Sequence, residues 1–231
     1  MDEFRLTVAI PVYNEKSTVA EVVQKVLSVE PRNKEVIVID DCSTDGTYDI
    51  LTELNKNLQF TLIRNHKNMG KGACLIKAIS LAKGKIFVPQ DADLEVKPSD
   101  YTKLMAPILA GQADVVFGSR LLHLHKPDYI LRTLFINKLF VFLVNFLYGG
   151  HYSDILTCFK MCKTEVLKSL MLYSQRFDIE PEIACKILKG NYKIVELPIS
   201  YRPRRWNAGK KIRWTDAFSI LKTIIKHRFI N

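Results

Sequence analysis

Short apolar runs alternate with helix-patterned segments through the first half of the chain, and this alternation constrains the fold more than any other feature. The runs are rich in β-branched residues, and the first three are each followed by apolar side chains at helical spacing. The predicted strands cover residues 6–13, 35–41, 60–65 and 85–93. Such alternation is typical of parallel βαβ units, so we predict an α/β fold with a Rossmann-like, mostly parallel sheet flanked by helices.

The second half of the chain contains two more predicted strands and several helices. The strands cover residues 114–120 and 193–203, and the region between them is mostly helical. The helix predicted at 126–150 is apolar on nearly every face, which fits either a core helix or a helix at a membrane interface. In the second case Arg132 and Lys138 would reach towards lipid head groups. A basic amphipathic helix is predicted at the C-terminal end, with the same two alternatives.

Charge is distributed unevenly along the 231 residues, which carry a formal net charge of +10. Residues 1–119 contain 14 Lys and Arg against 16 Asp and Glu, whereas residues 120–231 contain 20 against 8. The length fits a single domain, 1–231, with two functional halves. The basic half indicates an anionic partner, which could be a nucleic acid, a phosphorylated substrate or an anionic membrane surface.

Cysteine spacing and the N-terminal residues predict a cytoplasmic protein. The five cysteines form no C-x-x-C pair and are typical of reduced thiols. The N-terminal residues begin acidic and continue as a strand, which is not the pattern of a signal peptide. The longest nearly apolar run, residues 139–148, is too short to span a bilayer. Any membrane contact is therefore expected to be peripheral, on the cytoplasmic face.

Three acidic side chains stand at alternate positions at the end of the strand predicted at 85–93. They are Asp91, Asp93 and Glu95. Carboxylates this close repel one another unless a cation or a proton lies between them. A D-x-D pair is short enough to arise by chance, and a solvated turn would have the same composition. The triplet therefore indicates a cation site only if other site residues lie nearby.

Other acidic residues follow the first two predicted strands. Glu15 comes after the first strand, and Asp40 and Asp41 come at the end of the second. The carboxyl ends of parallel strands meet at one edge of a sheet, where ligands bind. We therefore expect these side chains to lie near the 91–95 triplet and to form a ligand site with it.

Cationic residues are predicted beside the same edge. The loop 65–73, NHKNMGKGA, contains Lys71 and glycines that would let its backbone approach a phosphate, although it is not a Walker A loop. An ordinary turn at a helix start fits the loop equally well. Arg120 ends the strand predicted at 114–120, and the segment 201–213 is rich in arginine and lysine. Arginine suits bidentate binding of phosphate.

Eight motifs, distributed almost end to end, carry a resemblance to a known family. They are IPVYNE (10–15), VIDDCSTDGT (38–47), NMGKGA (68–73), QDADLE (90–95), GSR (118–120), DILTCFK (154–160), RFDIEPEI (176–183) and YRPRRWNAGKKI (201–212). Together they resemble the family 2 glycosyltransferases with the GT-A fold. Within that family the chain is most similar to the dolichol-phosphate or polyprenyl-phosphate mannose and glucose synthases. The run 157–160 is shorter than the T-S-G-F-R type run of the mannose synthases, which leaves the acceptor open.

The resemblance implies a donor site in the first half of the chain. Residues 1–119 would bind the nucleotide sugar, with Asp40 at the base and Asp41 near the ribose. Asp91 and Asp93 would hold Mg²⁺ or Mn²⁺ on the donor diphosphate, with Glu95 as a third ligand. The residues implied for nucleotide-sugar binding are Pro11, Tyr13, Glu15, Asp40, Asp41, Lys71, Gln90, Asp91 and Lys210.

The resemblance also implies the reaction. It is an inverting, metal-dependent transfer of a hexose from GDP-mannose or UDP-glucose to a polyprenyl or dolichyl phosphate. Residues 120–231 would bind this acceptor and face the membrane, and Asp93, Arg120 and Arg202 would serve catalysis. A lipid phosphate is already an anion, so it needs cations to position it and no strong base.

A sugar hydroxyl is the alternative acceptor, as in envelope polysaccharide synthesis. A hydroxyl nucleophile requires a general base. Asp154 and Glu182 are the candidates for that base.

Three other classes of function fit parts of the sequence. The basic tail, with Trp206 and Trp214, could bind nucleic acid, but the acidic strand ends have no use in that reading. No nucleic-acid partner is therefore predicted. A nucleotidyltransferase also uses paired aspartates and a divalent metal, but it usually has a Gly- and Arg-rich loop where this chain has IPVYNE. An inactive interaction module would not need Asp91, Asp93 and Lys71.

Overall fold

One seven-stranded sheet lies at the centre of the protein. The structure, a computed structural model, describes residues 5–122, 131–204 and 214–229. The strands are β1 (Leu6–Val12), β2 (Lys34–Asp40), β3 (Thr61–Arg64), β4 (Ile86–Pro89), β5 (Val115–Ser119), β6 (Lys160–Lys163) and β7 (Ile194–Pro198). The helices are α1 (Val19–Ser28), α2 (Thr47–Asn57), α3 (Lys71–Leu81), α4 (Tyr101–Leu109), α5 (Leu131–Tyr148), α6 (Thr164–Ser169), α7 (Ile179–Lys189) and α8 (Trp214–Phe229). The strands lie in the order β3-β2-β1-β4-β6-β5-β7.

Parallel pairing brings the carboxyl ends of several strands to one edge of the sheet. β1 pairs in parallel with β2 and β4, β2 with β3, and β5 with β7. Val12 at the end of β1 lies opposite Asp40, and Asp40 lies opposite Arg64 at the end of β3. The predicted α/β fold with a mostly parallel sheet is confirmed.

The antiparallel strand β6 was not predicted from the sequence. It lies between β4 and β5 and pairs antiparallel with both. It has only four residues, KMCK, which is too short to show a periodic pattern. Its first residue, Lys160, is fully buried and forms an ion pair with Glu180 of α7 at 2.7 Å. A buried lysine is rare without such a partner, and the partner lies twenty residues away in the sequence.

Apolar side chains cover both faces of the sheet. Along β2, Val36 and Val38 belong to the buried cluster that includes α1, whereas Ile37 and Ile39 belong to the cluster that includes α3. Successive side chains of a strand point to opposite faces, so a strand covered on both faces is apolar throughout. Each of these buried side chains contributes about 1.5–3 kcal/mol of burial free energy.

Helix α5 has one buried face and one exposed apolar face. Phe140 and Val144 are buried in the core, whereas Phe142 and Phe146 are 67% and 76% exposed. α5 packs against α8, and the Tyr148 hydroxyl donates to the Ile224 carbonyl at 2.7 Å. The core alternative therefore holds for one face of the helix, and the other face is apolar and exposed. Within the described ranges, no helix combines the length and the apolarity that a bilayer crossing requires.

Candidate active site

The acidic residues that follow β1 and β4 lie together at the carboxyl edge of the sheet. The guanidinium of Arg204 joins them, with Nη1 3.1 Å from Glu15 Oε2 and Nη2 3.1 Å from Asp93 Oδ2. Its Nε is 3.8 Å from Glu95 Oε1. Arg204 follows β7, which is the strand at one edge of the sheet and lies four positions from β1. The sequence places Arg204 in a basic segment but gives no sign of these three partners.

The loops that carry the site contain residues in an unusual backbone conformation. Asn14, Cys42 and Leu94 follow β1, β2 and β4, and their φ angles are 49°, 62° and 62°. Residues other than glycine rarely adopt positive φ, and such residues cluster at functional sites. The backbone at all three strand ends is therefore fixed in shapes that place the adjacent carboxylates.

Asp93 is held in an electrostatically unfavourable position. Burial, the largest cause, and the nearby carboxylates of Asp91 and Glu95 together raise its pKa to about 7, against the opposing effect of Arg204. A second cation near Asp91 and Asp93 would relieve this repulsion, and carboxylate oxygens are ligands that suit Mg²⁺ and Mn²⁺. These two residues therefore fit the metal that the sequence predicts.

Glu95, predicted as a third metal ligand, is engaged elsewhere. Its carboxylate accepts hydrogen bonds from the Tyr201 hydroxyl and from the Arg204 backbone N–H, both at 3.0 Å. In the part of the chain that the structure describes, no group of three His, Cys, Asp or Glu side chains is arranged to hold a metal ion. Glu95 thus anchors the segment 201–204.

Lys71 lies at the start of α3 and connects Asp91 to a buried ion-pair network. Its Nζ is 2.6 Å from Asp91 Oδ1 and 2.9 Å from Glu180 Oε1, and the other oxygen of Glu180 binds Lys160. Burial alone would raise the pKa of Glu180, but Lys160 and Lys71 outweigh it and lower that pKa to about 2. The sequence pattern explained Glu180 only as an acidic residue at a helix start, so this network was missed.

Asp41 organises the loop that precedes α3. Its carboxylate accepts hydrogen bonds from the backbone N–H groups of Met69 (2.8 Å) and Gly70 (2.7 Å) and from the Asn65 amide (2.8 Å). A Cβ atom at Gly70 would lie 2.4 Å from the Gln175 carbonyl oxygen. Gly70 is thus required where the loop packs against the backbone of Gln175, in addition to the close approach to a ligand that the sequence suggested.

Asp40 has one oxygen that no group in the described residues satisfies. Its Oδ2 accepts from the Ser43 N–H at 3.1 Å and lies 3.4 Å from Arg64 Nε. Its Oδ1 is buried and has no hydrogen-bond partner among those residues. An unsatisfied buried acceptor costs about 1–3 kcal/mol, which a ligand N–H would recover.

The other residues implied for nucleotide binding differ in accessibility. Pro11 and Tyr13 are partly exposed near the end of β1, where a ligand can reach them. Gln90 is buried, and its side chain accepts from the Tyr101 hydroxyl at 2.6 Å and donates to the Asp91 carbonyl at 3.0 Å. It therefore supports the turn that carries Asp91. Lys210 lies outside the described residues.

Arg120 at the end of β5 forms a bidentate pair with Asp154. Its Nε and Nη2 lie 2.7 and 2.9 Å from the two carboxylate oxygens, and Asn137 of α5 donates to the same carboxylate at 3.4 Å. Burial would raise the pKa of Asp154, but Arg120 outweighs it and holds this pKa below its usual value. The Arg120 guanidinium also lies 5.4 Å from the ring centre of Tyr201, so Arg120 and the segment 201–204 are neighbours.

The two candidates for a general base are both engaged in structural contacts. Asp154 is fully buried against Arg120, and Glu182 is fully buried as well. Glu182 accepts from the Ser174 N–H at 2.7 Å and pairs with Lys186 at 2.7 Å. Arg202 is exposed, and its backbone N–H donates to the Glu95 carbonyl at 2.8 Å.

Comparison with known proteins finds similar sequences along most of the chain. The family model described as Glycosyl transferase family 2 matches residues 7–171. An uncharacterised protein of Methanocaldococcus jannaschii is 30% identical over 230 residues, covering 96% of this chain and 98% of that protein. A dolichol-phosphate mannosyltransferase of Pyrococcus furiosus is 27% identical over 227 residues, covering 96% of this chain and 63% of that enzyme.

A solved structure shares the fold. Glucosyl-3-phosphoglycerate synthase from Mycobacterium tuberculosis, in complex with Mn²⁺, uridine diphosphate and phosphoglyceric acid, matches with a TM-score of 0.75. The match covers 99% of this chain and 80% of that chain at 18% sequence identity. It confirms the GT-A fold that the motifs predicted.

Proposed function

We propose a specific reaction for this chain, which belongs to glycosyl transferase family 2 and is a glycosyltransferase. The reaction is the inverting transfer of a hexose from GDP-mannose or UDP-glucose to a polyprenyl or dolichyl phosphate. The similarity to a dolichol-phosphate mannosyltransferase supports a lipid-phosphate acceptor. The chain spans 63% of the length of that relative, so the likeness concerns only this part of it.

The pairing of Asp154 with Arg120 is the observation that carries this choice of acceptor. A general base needs an accessible carboxylate whose pKa lies near the working pH. Asp154 is buried, binds Arg120 through both oxygens and has a lowered pKa, so it is a poor proton acceptor. Glu182 is buried in equally complete contacts. An acceptor that is already anionic needs neither residue as a base.

Arg120 and Arg202 would position the acceptor phosphate in this proposal. Asp154 fixes the orientation of the Arg120 guanidinium, and the contact between Glu95 and the backbone of Arg202 fixes the start of the segment 201–204. Guanidinium groups bind phosphate oxygens with directional, charge-assisted hydrogen bonds. A phosphate held there would attack the anomeric carbon on the face opposite the leaving diphosphate, which inverts its configuration.

The first half of the chain would bind the donor. The unsatisfied Oδ1 of Asp40 would accept a hydrogen bond from the nucleotide base. Asp91 and Asp93 would hold Mg²⁺ or Mn²⁺, which when bound stabilises the negative charge that develops on the leaving diphosphate. Lys71, fixed between Asp91 and Glu180, keeps the Asp91 carboxylate in place.

An apolar surface on α5 and α8 supports peripheral contact with a membrane. Phe218 and Phe229 on α8 are 65% and 76% exposed, on the same stripe of that helix. The surface, which we call the α5–α8 face, comprises Ile136, Leu139, Phe142, Phe146, Phe218, Leu221, Ile225 and Phe229. The exposed charged side chains described on these two helices are cations, at Lys138, Lys222, Lys226 and Arg228. Exposed apolar side chains flanked by cations suit the surface of an anionic bilayer.

A comparison of two acceptors tests the proposed reaction. The protein is incubated with Mg²⁺ and radiolabelled GDP-mannose or UDP-glucose, with either a polyprenyl phosphate or the matching polyprenol. We expect label in the organic phase with the phosphate and none with the alcohol, from one of the two donors. Label on the polyprenol but not on the polyprenyl phosphate would instead establish a hydroxyl acceptor.

A further inference from the structure

Arg204 occupies the centre of the carboxylate cluster in the donor site. It reaches Glu15 and Asp93 at 3.1 Å each, and Glu95 at 3.8 Å, so three carboxylates from two loops share one guanidinium. The side chain is 18% exposed, and it arises from a segment that also binds Glu95 through its backbone. This arrangement neutralises part of the charge that Asp91, Asp93 and Glu95 would otherwise concentrate in a partly buried position.

The Arg204 contact involves Asp93, which is also a residue predicted to hold the divalent cation. Nη2 of Arg204 donates to Asp93 Oδ2 at 3.1 Å. A metal ion on this carboxylate would bring a second positive charge to within a few ångströms of the guanidinium, and two cations at that distance repel strongly in a partly buried site. Lys71 differs in that its second partner, Glu180, lies outside this carboxylate cluster and also pairs with Lys160.

We propose that Arg204 is the tethered counter-ion of the metal-free donor site and that the divalent cation takes its place on Asp93. Binding of the ion releases the guanidinium from Glu15 and Asp93. The inference rests on the metal-dependent donor site proposed above. The exchange also connects the donor side of the site to the acceptor side, because Arg204 and Arg202 belong to the same short segment. Loading of the donor side therefore releases the Arg204 side chain, while the backbone of its segment stays anchored to Glu95.

Mn²⁺ binding to the donor-free protein tests this exchange without an activity assay. The dissociation constant is measured by electron paramagnetic resonance for the wild type, R204Q and the control R64Q. Arg64 lies at the same sheet edge, 3.4 Å from Asp40, but touches none of the metal carboxylates in the described structure. We expect R204Q to bind Mn²⁺ at least about tenfold more tightly, equivalent to about 1.4 kcal/mol. R64Q should change the constant less than about twofold, because its effect is limited to net charge. Unchanged or weaker binding by R204Q would overturn the proposal.

A second measurement uses the wild type and does not depend on the folding of a variant. Phenylglyoxal modifies accessible arginines, and the rate at Arg204 is followed by mass spectrometry of peptides with and without Mg²⁺. Release of the guanidinium predicts faster modification of Arg204 when Mg²⁺ is present. A rate that Mg²⁺ leaves unchanged or slows would contradict the exchange.

Adding GDP or UDP to the Mn²⁺ titration separates this inference from the proposed function. One outcome is that Mn²⁺ binds in the presence of a nucleoside diphosphate while wild type and R204Q have equal Mn²⁺ dissociation constants without it. That result would contradict the exchange but not the metal-dependent donor site. No Mn²⁺ binding in any mixture would overturn both the exchange and the metal-dependent donor site.

Discussion

At the scale of single residues, three carboxylates of this protein lie in two contrasting electrostatic environments. Asp154 and Glu180 have cations at hydrogen-bonding distance, and their pKa values lie below the usual range. Asp93 has Arg204 but also two acidic neighbours, and its pKa is raised to about 7. Asp154 and Glu180 are therefore suited to holding other side chains in place, and Asp93 is suited to binding a further cation.

The substitution D154N tests whether Asp154 positions Arg120 or acts as a base. Asparagine keeps the shape but loses the charge that orients Arg120, so we expect kcat/KM for the lipid phosphate to fall about tenfold to a hundredfold. The shape of the pH–rate profile should not change, because no titrating base is removed. Loss of the acid limb of that profile in D154N would show instead that Asp154 is the base.

The raised pKa of Asp93 predicts pH-dependent metal binding. Below a pH of about 7 this carboxyl carries a proton, which competes with the ion, and above it the carboxylate is free to bind. Mn²⁺ affinity of the donor-free protein should therefore fall by up to about tenfold per pH unit below that pKa and level off above it. Titrations at a series of pH values measure this, and an affinity independent of pH would contradict it.

At the scale of elements, the sequence predicted the strands whose patterns are local. Both faces of β1 and β2 are covered, so their apolar runs stand out, and the acidic residues at their ends could be placed at one edge by topology alone. The strand β6 and the contacts of Arg204 depend on partners far away in the sequence. Lys160 belongs in a buried strand only because Glu180 faces it, and Arg204 reaches Glu15 across 189 positions. No local pattern records either pairing.

The substitution E180Q tests the ion-pair network that connects α3, β6 and α7. It leaves the buried Lys160 without its carboxylate, and breaking a buried pair in this way costs about 3–5 kcal/mol. The control E53Q removes the partner of Lys56 in an exposed pair, which should cost no more than about 1 kcal/mol. Urea unfolding measures both. Equal stabilities of E180Q and E53Q would show that the network does not hold these elements together.

At the scale of the whole molecule, α5 connects the α5–α8 face to Arg120 on the proposed acceptor side of the site. Asn137 of that helix contacts Asp154, which orients Arg120.

We expect the protein to co-sediment with vesicles containing anionic phospholipid. The variant F142S/F146S should lose at least about tenfold in affinity for these vesicles. The control L109S removes an apolar side chain of α4 that is 58% exposed, and it should bind as the wild type does. Equal binding by all three proteins would exclude the α5–α8 face as the membrane contact.

In the proposed reaction, Asp93 serves a metal-dependent transfer of sugar to a lipid phosphate. The most direct measurement is the label extracted into organic solvent by wild type, D93N and D49N, each with Mg²⁺ or with a chelator. Asp49 lies exposed in the first turn of α2 and is a matched control for the loss of one carboxylate. We expect chelator-sensitive label from wild type and D49N, and a loss of at least about a hundredfold in D93N. Full transfer by D93N, or transfer that the chelator leaves unchanged, would contradict it.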